Sequence, residues 1–540
     1  MSVFCEWYGV YGTHGRHGHD GAADPQWASA SDRVYRFAAC GFLSDGRVPG
    51  LSGVAGKRRA RAGLFYAAAG KYAICNTGAK PVRAQAPVIV GAGPAGVRAA
   101  QVLVQAGLRP IVIDEAPKPG GQIYRQQPDG FTRGARQLYG FEHSKATALH
   151  EAARQMIASG QIDYRPNTLV WDADARQLYV TCDGKHDAIA YERVILATGA
   201  TDRVLPFAGW TLPGVYTLGG AQIALKYQGC AIGKRVVLAG TGPLLYLVAY
   251  QYCKAGVRVS AVLDTSPFPS LRQGVQAFAA DAPLMAKGVY YMAWLRARGV
   301  AMVHGVAGFE ADGVDRVESV RWRKNAASAM QTLPCDALAC GFGLRSENQL
   351  ASLLGCDFVF DEQDCSWQPQ VQPGGQSSRA NVYLAGDGMR IGGADMAELT
   401  GQQCAYSVLQ DLGIHCDKKQ VAQLARRIAR GRRARQCIER MFALPAHWLD
   451  AADDTLMVCR CEEICVGEIR QMLRDDPHSG LNRMKALSRV GMGRCQGRMC
   501  VAGASMLLAH EQGIALSGVE RLRNQPPVKP FPIGGAACKP

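Results

Sequence analysis

Four cysteines near the C-terminus are spaced for metal chemistry. Cys459 and Cys461 are followed, after 33 intervening residues, by Cys495 and Cys500. Four thiolates at Cys-x-Cys and Cys-x4-Cys spacing call for a metal ion or a cluster. Zinc ribbons prefer Cys-x2-Cys pairs, so this spacing argues against a structural zinc, which stays as the lesser alternative. Arg460, Lys485, Arg494 and Arg498 lie close enough in sequence to offset the charge of such a centre. Cys465 reads as a bystander. Cys335 and Cys340, in the apolar run PCDALACGFG, read as small buried hydrophobes rather than as a redox pair.

A second pattern lies far upstream. Val88-Ile-Val-Gly91-Ala-Gly93-Pro94-Ala95-Gly96 reads as strand, tight turn and helix start. Gly91 makes the turn, Gly93 lets backbone approach a pyrophosphate, and Gly96 lets helix and strand pack closely. The helix N-terminus offers free N–H groups to the phosphates. The next strand, Ile111–Ile113, ends in Asp114-Glu115. Asp114 stands 23 residues after Gly91, where a carboxylate accepts ribose hydroxyls.

The pattern recurs at Val236-Val-Leu-Ala-Gly240-Thr-Gly242-Pro-Leu-Leu245, with the next strand ending at Asp264. Here leucine replaces the third glycine. The strand–turn–helix reading is firm. The ligand is left open between NAD(P), another nucleotide and none, with Gly240, Gly242 and Asp264 as the residues that would hold it.

Three further segments place small residues just after an apolar strand: Gly120-Gly121-Gln122, Ala197-Thr198-Gly199 and Ala385-Gly386-Asp387. Together these segments resemble the two-dinucleotide-binding flavoproteins, whose chain leaves the flavin domain after an ATG segment and returns before a GD segment. The resemblance implies FAD held by Gly91, Gly93, Pro94, Ala95, Gly96, Asp114, Glu115, Gly121, Gln122, Thr198, Gly199, Gly386, Asp387 and Ala394. It puts Asp114 on the adenosine ribose and Asp387 on the ribityl chain. Gly393-Ala394 opens a helix whose N-terminus would stabilise negative charge on a reduced flavin. The Gly120-Gly121 loop has no cysteine, which argues against disulfide-reductase chemistry.

The elements that must position these residues set an α/β class. The expected architecture is an FAD-binding Rossmann-like domain, 87–205 with 335–415, interrupted by a second Rossmann-like domain, 206–334. A basic helical connector, 416–452, leads to a small helical [2Fe–2S] domain, 453–515, and a Pro/Gly-rich tail, 516–540. Residues 1–86 read as a disordered extension or the product of a misassigned start. Their His14, His17 and His19 tract and Arg58-Arg59 carry no assigned function. A hydrophobic share of 48% and a charged share of 20% exclude a disordered or fibrous chain. The net charge of +16 is concentrated in 417–440, where nine Lys/Arg face two acids. Val421, Leu424 and Ile428 at helical spacing make that stretch a basic amphipathic helix, solvated or docked on a partner, rather than a nucleic-acid site. The best candidate uncharged run, Val236–Cys253, is broken by Gly240, Gly242 and Pro243, so no transmembrane segment is expected.

Cys459, Cys461, Cys495 and Cys500 resemble the ligand set of the bacterioferritin-associated ferredoxin type of [2Fe–2S] module. The phrases GPAGVRAAQVLVQAGL, VIDEAPKPGGQIYRQ, LPFAGWTLPGVYTLGGAQ and MGRCQGRMC sharpen the likeness. They resemble the larger subunits of the opine oxidases, of hydrogen cyanide synthase and of proline or hydroxyproline dehydrogenases, over roughly residues 87–510. That resemblance implies a smaller partner flavoprotein of the D-amino-acid-oxidase type. It also implies electrons relayed to a respiratory quinone chain or a ferredoxin-like acceptor, in a cytoplasmic protein or one peripheral to the inner membrane. Two other readings remain: a stand-alone NAD(P)H-dependent reductase, and an iron–sulfur sensor or adaptor without catalysis. No paired histidine or carboxylate marks a general base, and nothing in the sequence selects a substrate.

Overall fold

Short runs of buried apolar residues build four of the five strands of the first sheet, as expected for parallel strands covered on both faces. Its order is Val382–Leu384, Val194–Leu196, Val88–Val90, Ile111–Ile113 and Asp163–Arg165, every pair parallel. This computed structural model describes residues 86–131, 133–325 and 327–531. The histidine tract, Arg58-Arg59 and the end of the tail lie outside the described residues.

The helix Pro94–Gln105 starts with proline in its first turn and Gly93 as an extended N-cap. Its apolar face packs on the first sheet beside Ala394–Asp411, within one core that includes Ile89, Leu103, Ile195 and Tyr383. The other sheet face carries an antiparallel meander, Thr168–Ala173, Gln177–Cys182 and Lys185–Ala190.

The second sheet repeats this plan. Its parallel order is Ala301–His304, Arg258–Asp264, Arg235–Thr241, Ala337–Phe342 and Val215–Thr217. A second antiparallel meander spans Gly308–Pro334. The expected boundary at 335 is therefore corrected. Ala337–Phe342 pairs with Arg235–Thr241, and the chain returns to the first domain only through Leu344–Ser346. Leu344–Ser346 pairs antiparallel with the outgoing strand Ala200–Asp202, so the two domains are joined by a two-stranded bridge.

The basic stretch is one helix, Lys418–Met441, and its apolar stripe is covered. Leu424, Ile428, Ala434, Ile438 and Met441 are buried. A Cβ at Gly431 would overlap Met396 of the helix Ala394–Asp411, so glycine lets the two helices touch. The cysteine-bearing segment forms a small hairpin, Met457–Cys459 with Ile464–Cys465, and three helices: Val466–Asp475, Leu481–Ser488 and Val501–Gln512. It has no separate core. Val458, Ile469, Met484 and Leu507 pack in one cluster with Leu205, Phe207 and Trp210 of the LPFAGW segment. Trp210 Nε1 donates to the Met457 carbonyl at 2.7 Å, and Trp448 Nε1 to the Pro206 carbonyl at 2.9 Å.

Candidate functional site

The first glycine turn is built as its chemistry requires. Gly91 has φ +104°, and a Cβ there would overlap the Ala197 carbonyl oxygen. A Cβ at Gly96 would overlap the Gly91 carbonyl. Gly121 lies against Gly93, so close that its Cβ would sit 2.9 Å from the Gly93 Cα. No side chain caps the N-terminus of Pro94–Gln105 and no acid stands in its first turn, which leaves its N–H groups free for an anion. The GD and ATG segments meet here: a Cβ at Gly388 would lie 2.6 Å from Thr198 Oγ1. Gly386 faces Ala95, and its N–H donates to Thr400 Oγ1 at 3.0 Å.

The acids of this site divide the work. Asp114 is buried, and its oxygens accept the Ala92 N–H at 2.5 Å and the Ala116 N–H at 2.7 Å. Burial pushes its carboxyl up to about 6. Asp114 thus ties the glycine turn to the loop after Ile111–Ile113. Its neighbour Glu115 stands half exposed and pairs with Lys529 of the tail at 2.5 Å. Asp387 Oδ1 accepts the N–H groups of Gly392 and Gly393 at 2.8 and 3.0 Å, and burial raises its pKa. Those bonds shape the loop that presents Ala394 at the start of Ala394–Asp411, another N-terminus without a side-chain cap. Gln122 accepts from Arg125 Nη2 at 2.8 Å.

The second glycine turn is closed. Leu245 is fully buried in the core. Asp264 is 1% exposed and accepts the Tyr246 hydroxyl at 2.6 Å and the Ser266 N–H at 2.8 Å. His304 stacks on Tyr246 at 6.1 Å. At 1% exposure Asp264 presents no surface to a ribose.

The four expected cysteines come together. The Cys459 thiol lies within interaction range of Cys500, as does Cys461 of Cys495 and Cys495 of Cys500. Backbone N–H groups surround them: Cys461, Glu462 and Gly491 donate to Cys459, and Gly497 and Met499 to Cys495. Glu463, Gln496 and Gly497 beside them are left-handed, the backbone conformation from which anion-binding nests are built. The Cys459 pKa is drawn down to about 6, first by the Cys500 hydrogen bond and then by these amides, while Cys500 is pushed up. Among the described residues no group of three or more His, Cys, Asp or Glu side chains is placed to hold a metal ion. Paired thiols near backbone N–H groups are nevertheless donor chemistry of the kind a thiolate-bound centre uses. Cys465 caps the helix Val466–Asp475 instead. Cys335 and Cys340 are buried, and burial pushes their pKa values up to about 11 and 12.

One expectation about charge is revised. Arg498 pairs in fork fashion with Glu347, at 2.7 and 3.0 Å, so its charge is already matched, while Lys485 donates to the neutral Arg523 carbonyl at 2.9 Å. The Glu347 carbonyl in turn accepts Thr198 Oγ1. Glu347, which sequence reasoning missed, thereby links the ATG segment to the Cys495–Cys500 loop.

The sequence profile of the pyridine nucleotide-disulphide oxidoreductases matches residues 86–401. The chain belongs to this family. Within it, the chain is 35% identical to the A-type subunit of opine oxidase from Rhizobium meliloti, over 84% of this chain and 87% of that protein. The HcnB subunit of hydrogen cyanide synthase from Pseudomonas protegens is 33% identical, over 83% and 96% of the two chains. Both likenesses place the chain with the opine oxidase A-type and HcnB subunits. The crystal structure of L-proline dehydrogenase from P. horikoshii shares the fold, with TM-score 0.61 and 19% identity, over 84% of this chain and 79% of that one. The chain is therefore an FAD-dependent oxidoreductase. Among the described residues no helix is long and apolar enough to cross a membrane.

Proposed function

We propose that the chain is the FAD- and [2Fe–2S]-carrying electron-transfer subunit of an amino- or imino-acid dehydrogenase or oxidase. The C–N bond would be oxidised on a smaller partner flavoprotein. The observation that carries the reading is the meeting of four thiols, ringed by backbone N–H groups, in a module docked against the bridge of a flavin fold. The resemblance to the A-type opine oxidase and HcnB subunits supports the partner.

When bound, FAD takes up an electron pair and an iron–sulfur centre passes electrons singly. The chain's own residues make this workable. Gly91, Gly93 and Gly96 with the N-terminus of Pro94–Gln105 would hold the pyrophosphate. Asp114, with Glu115 beside it, would reach the adenosine ribose. Gly121, Gln122, Thr198, Gly199 and Gly386 would line the cofactor. Asp387 shapes the loop that aims the N-terminus at Ala394 towards the ring. Cys459, Cys461, Cys495 and Cys500 would hold the cluster. Thr198, Glu347 and Arg498 fix the loop of the last two thiols to the flavin segment. The closed second turn supports electrons arriving from a partner rather than from NAD(P)H at Gly240, Gly242 and Asp264.

Anaerobic mixing of the flavin-loaded chain with NADH and with NADPH tests this. The flavin absorbance should hold against both and bleach with dithionite. Prompt bleaching by either nucleotide would mean a stand-alone reductase.

A further inference from the structure

The helix Leu271–Ala280 wears its apolar side outward. Of its residues only Ala277 is buried. Leu271 is 86% exposed, Val275 61% and Phe278 42%. Their spacing, i, i+4 and i+7, puts all three on one face. Phe268, just before the helix, is also exposed and lies edge-on to His304 at 5.1 Å. The helix is not a loose end. Ser270 and Gln273 close its start in a capping box. It packs alongside Lys418–Met441, where Cys437 Sγ stands 4.0 Å from the Gln276 carbonyl oxygen. A surface helix normally turns its large apolar side chains towards the core. A contiguous apolar stripe turned to solvent instead marks a binding surface.

The neighbouring helix supplies charge. Lys419, Arg426, Arg433 and Arg440 recur every seven residues along Lys418–Met441, with Arg430 among them. Seven residues are close to two turns, so the row runs about 30 Å along one face. All five side chains belong to exposed residues. None has an acidic partner among the described residues, and the one acid of the helix, Glu439, is taken by Arg435 at 2.8 Å. Residues three and four apart are neighbours on a helix surface. Cys437 is four residues from Arg433 and three from Arg440, so the contact with Leu271–Ala280 falls between these two cations. Apolar stripe and cation row therefore adjoin.

The chemistry of the two faces says what covers them. A protein partner would need a pocket for each protruding side chain and an acid placed for each cation. A bilayer needs neither, because acyl chains close around any apolar knob and anionic headgroups gather at cations. Knobs as exposed as Leu271 and Val275, beside cations unpaired over about 30 Å, match the bilayer.

We infer that Leu271–Ala280 and the outer face of Lys418–Met441 together form a docking surface for an anionic lipid bilayer. Leu271, Val275 and Phe278 enter the acyl boundary, and the cation row meets the headgroups. The inference does not rest on the proposed electron-transfer role.

The test sediments the full-length, flavin-loaded chain with vesicles of phosphatidylglycerol mixed with phosphatidylcholine, and with vesicles of phosphatidylcholine alone. The chain should bind the mixed vesicles at least about 10-fold more tightly, and that preference should vanish at about 1 M salt. Arg426→Gln, Arg430→Gln and Arg433→Gln together should weaken binding by about 100-fold, roughly a factor of five per charge. Leu271→Ser with Val275→Ser should weaken it by about 10-fold or more. Both sets change exposed side chains, so flavin content and urea unfolding should match the wild type. Phe278→Trp should add a fluorescence signal that moves to the blue on the mixed vesicles.

Three results overturn the inference. One is a wild-type chain that both vesicles leave in solution. Another is equal binding to both vesicle types. The third is variants that bind as the wild type does, which would put the lipid on another part of the chain. If the chain ignores vesicles but forms dimers that Leu271→Ser with Val275→Ser separates, the face is an interface between copies instead.

Discussion

The glycine turns at Gly91–Gly96 and Gly240–Leu245 sit on sheets of the same design, five parallel strands with an antiparallel meander alongside. They nevertheless end in opposite states. At the first, no side chain larger than hydrogen fits at position 96, and the acid that fixes the turn, Asp114, is bonded by backbone N–H groups. A second acid, Glu115, remains at the surface beside it. At the second, a leucine fills the third glycine's place, and the next residue, Tyr246, puts its hydroxyl on the only acid at the strand end. The difference teaches that a strand–turn–helix motif specifies a fold more firmly than a ligand. Whether the terminal acid is bonded by backbone or by a side chain from the facing helix decides what remains for a nucleotide.

The comparison breaks most visibly at its third position. Gly96→Val should abolish flavin binding and cost about 3 kcal/mol or more of stability, since the added atoms overlap the Gly91 carbonyl. Leu245→Ala should cost about 2–5 kcal/mol through a cavity, yet leave the flavin in place. Absorbance at the flavin maximum and urea unfolding of both variants check the pair. Flavin loss in Leu245→Ala would erase the distinction.

Much of this was legible in sequence, and for a physical reason. Strands buried on both faces must be apolar throughout, so Ile111–Ile113 and Val194–Leu196 could be read to the residue. Proline at the start and Gly107 just past the end delimited Pro94–Gln105. The same rule misled at 335, because the buried run Ala337–Phe342 suits either sheet and only pairing assigns it. The four thiols were legible from spacing, but the partners of Arg498 were not, since Glu347 is 151 residues away. Tyr246 gave no signal at all, because it acts by where its hydroxyl points, a property that does not exist before the chain folds.

A smaller effect sharpens the contrast at Asp264. Burial pushes its carboxyl up to about 6 in the folded chain, against about 4 unfolded. A folded pKa raised in this way makes its stabilising contribution full below about pH 4 and lost as pH rises through about 6. Unfolding free energy should therefore fall across that window, and Asp264→Asn should flatten the fall by up to about 2–3 kcal/mol. Tyr246→Phe should destabilise the neutral-pH protein by about 1–3 kcal/mol, because it strips a buried carboxylate of a donor. Urea titrations at a series of pH values check both. An unchanged slope in Asp264→Asn would show that the carboxylate is not held as the geometry implies.

Counting cofactors in the purified chain tests the central claim most directly. The wild type should carry about one flavin and about two irons per chain, and Cys495→Ser should lose the iron while keeping the flavin. A wild-type chain that binds flavin but holds one zinc, or no metal, would contradict the account.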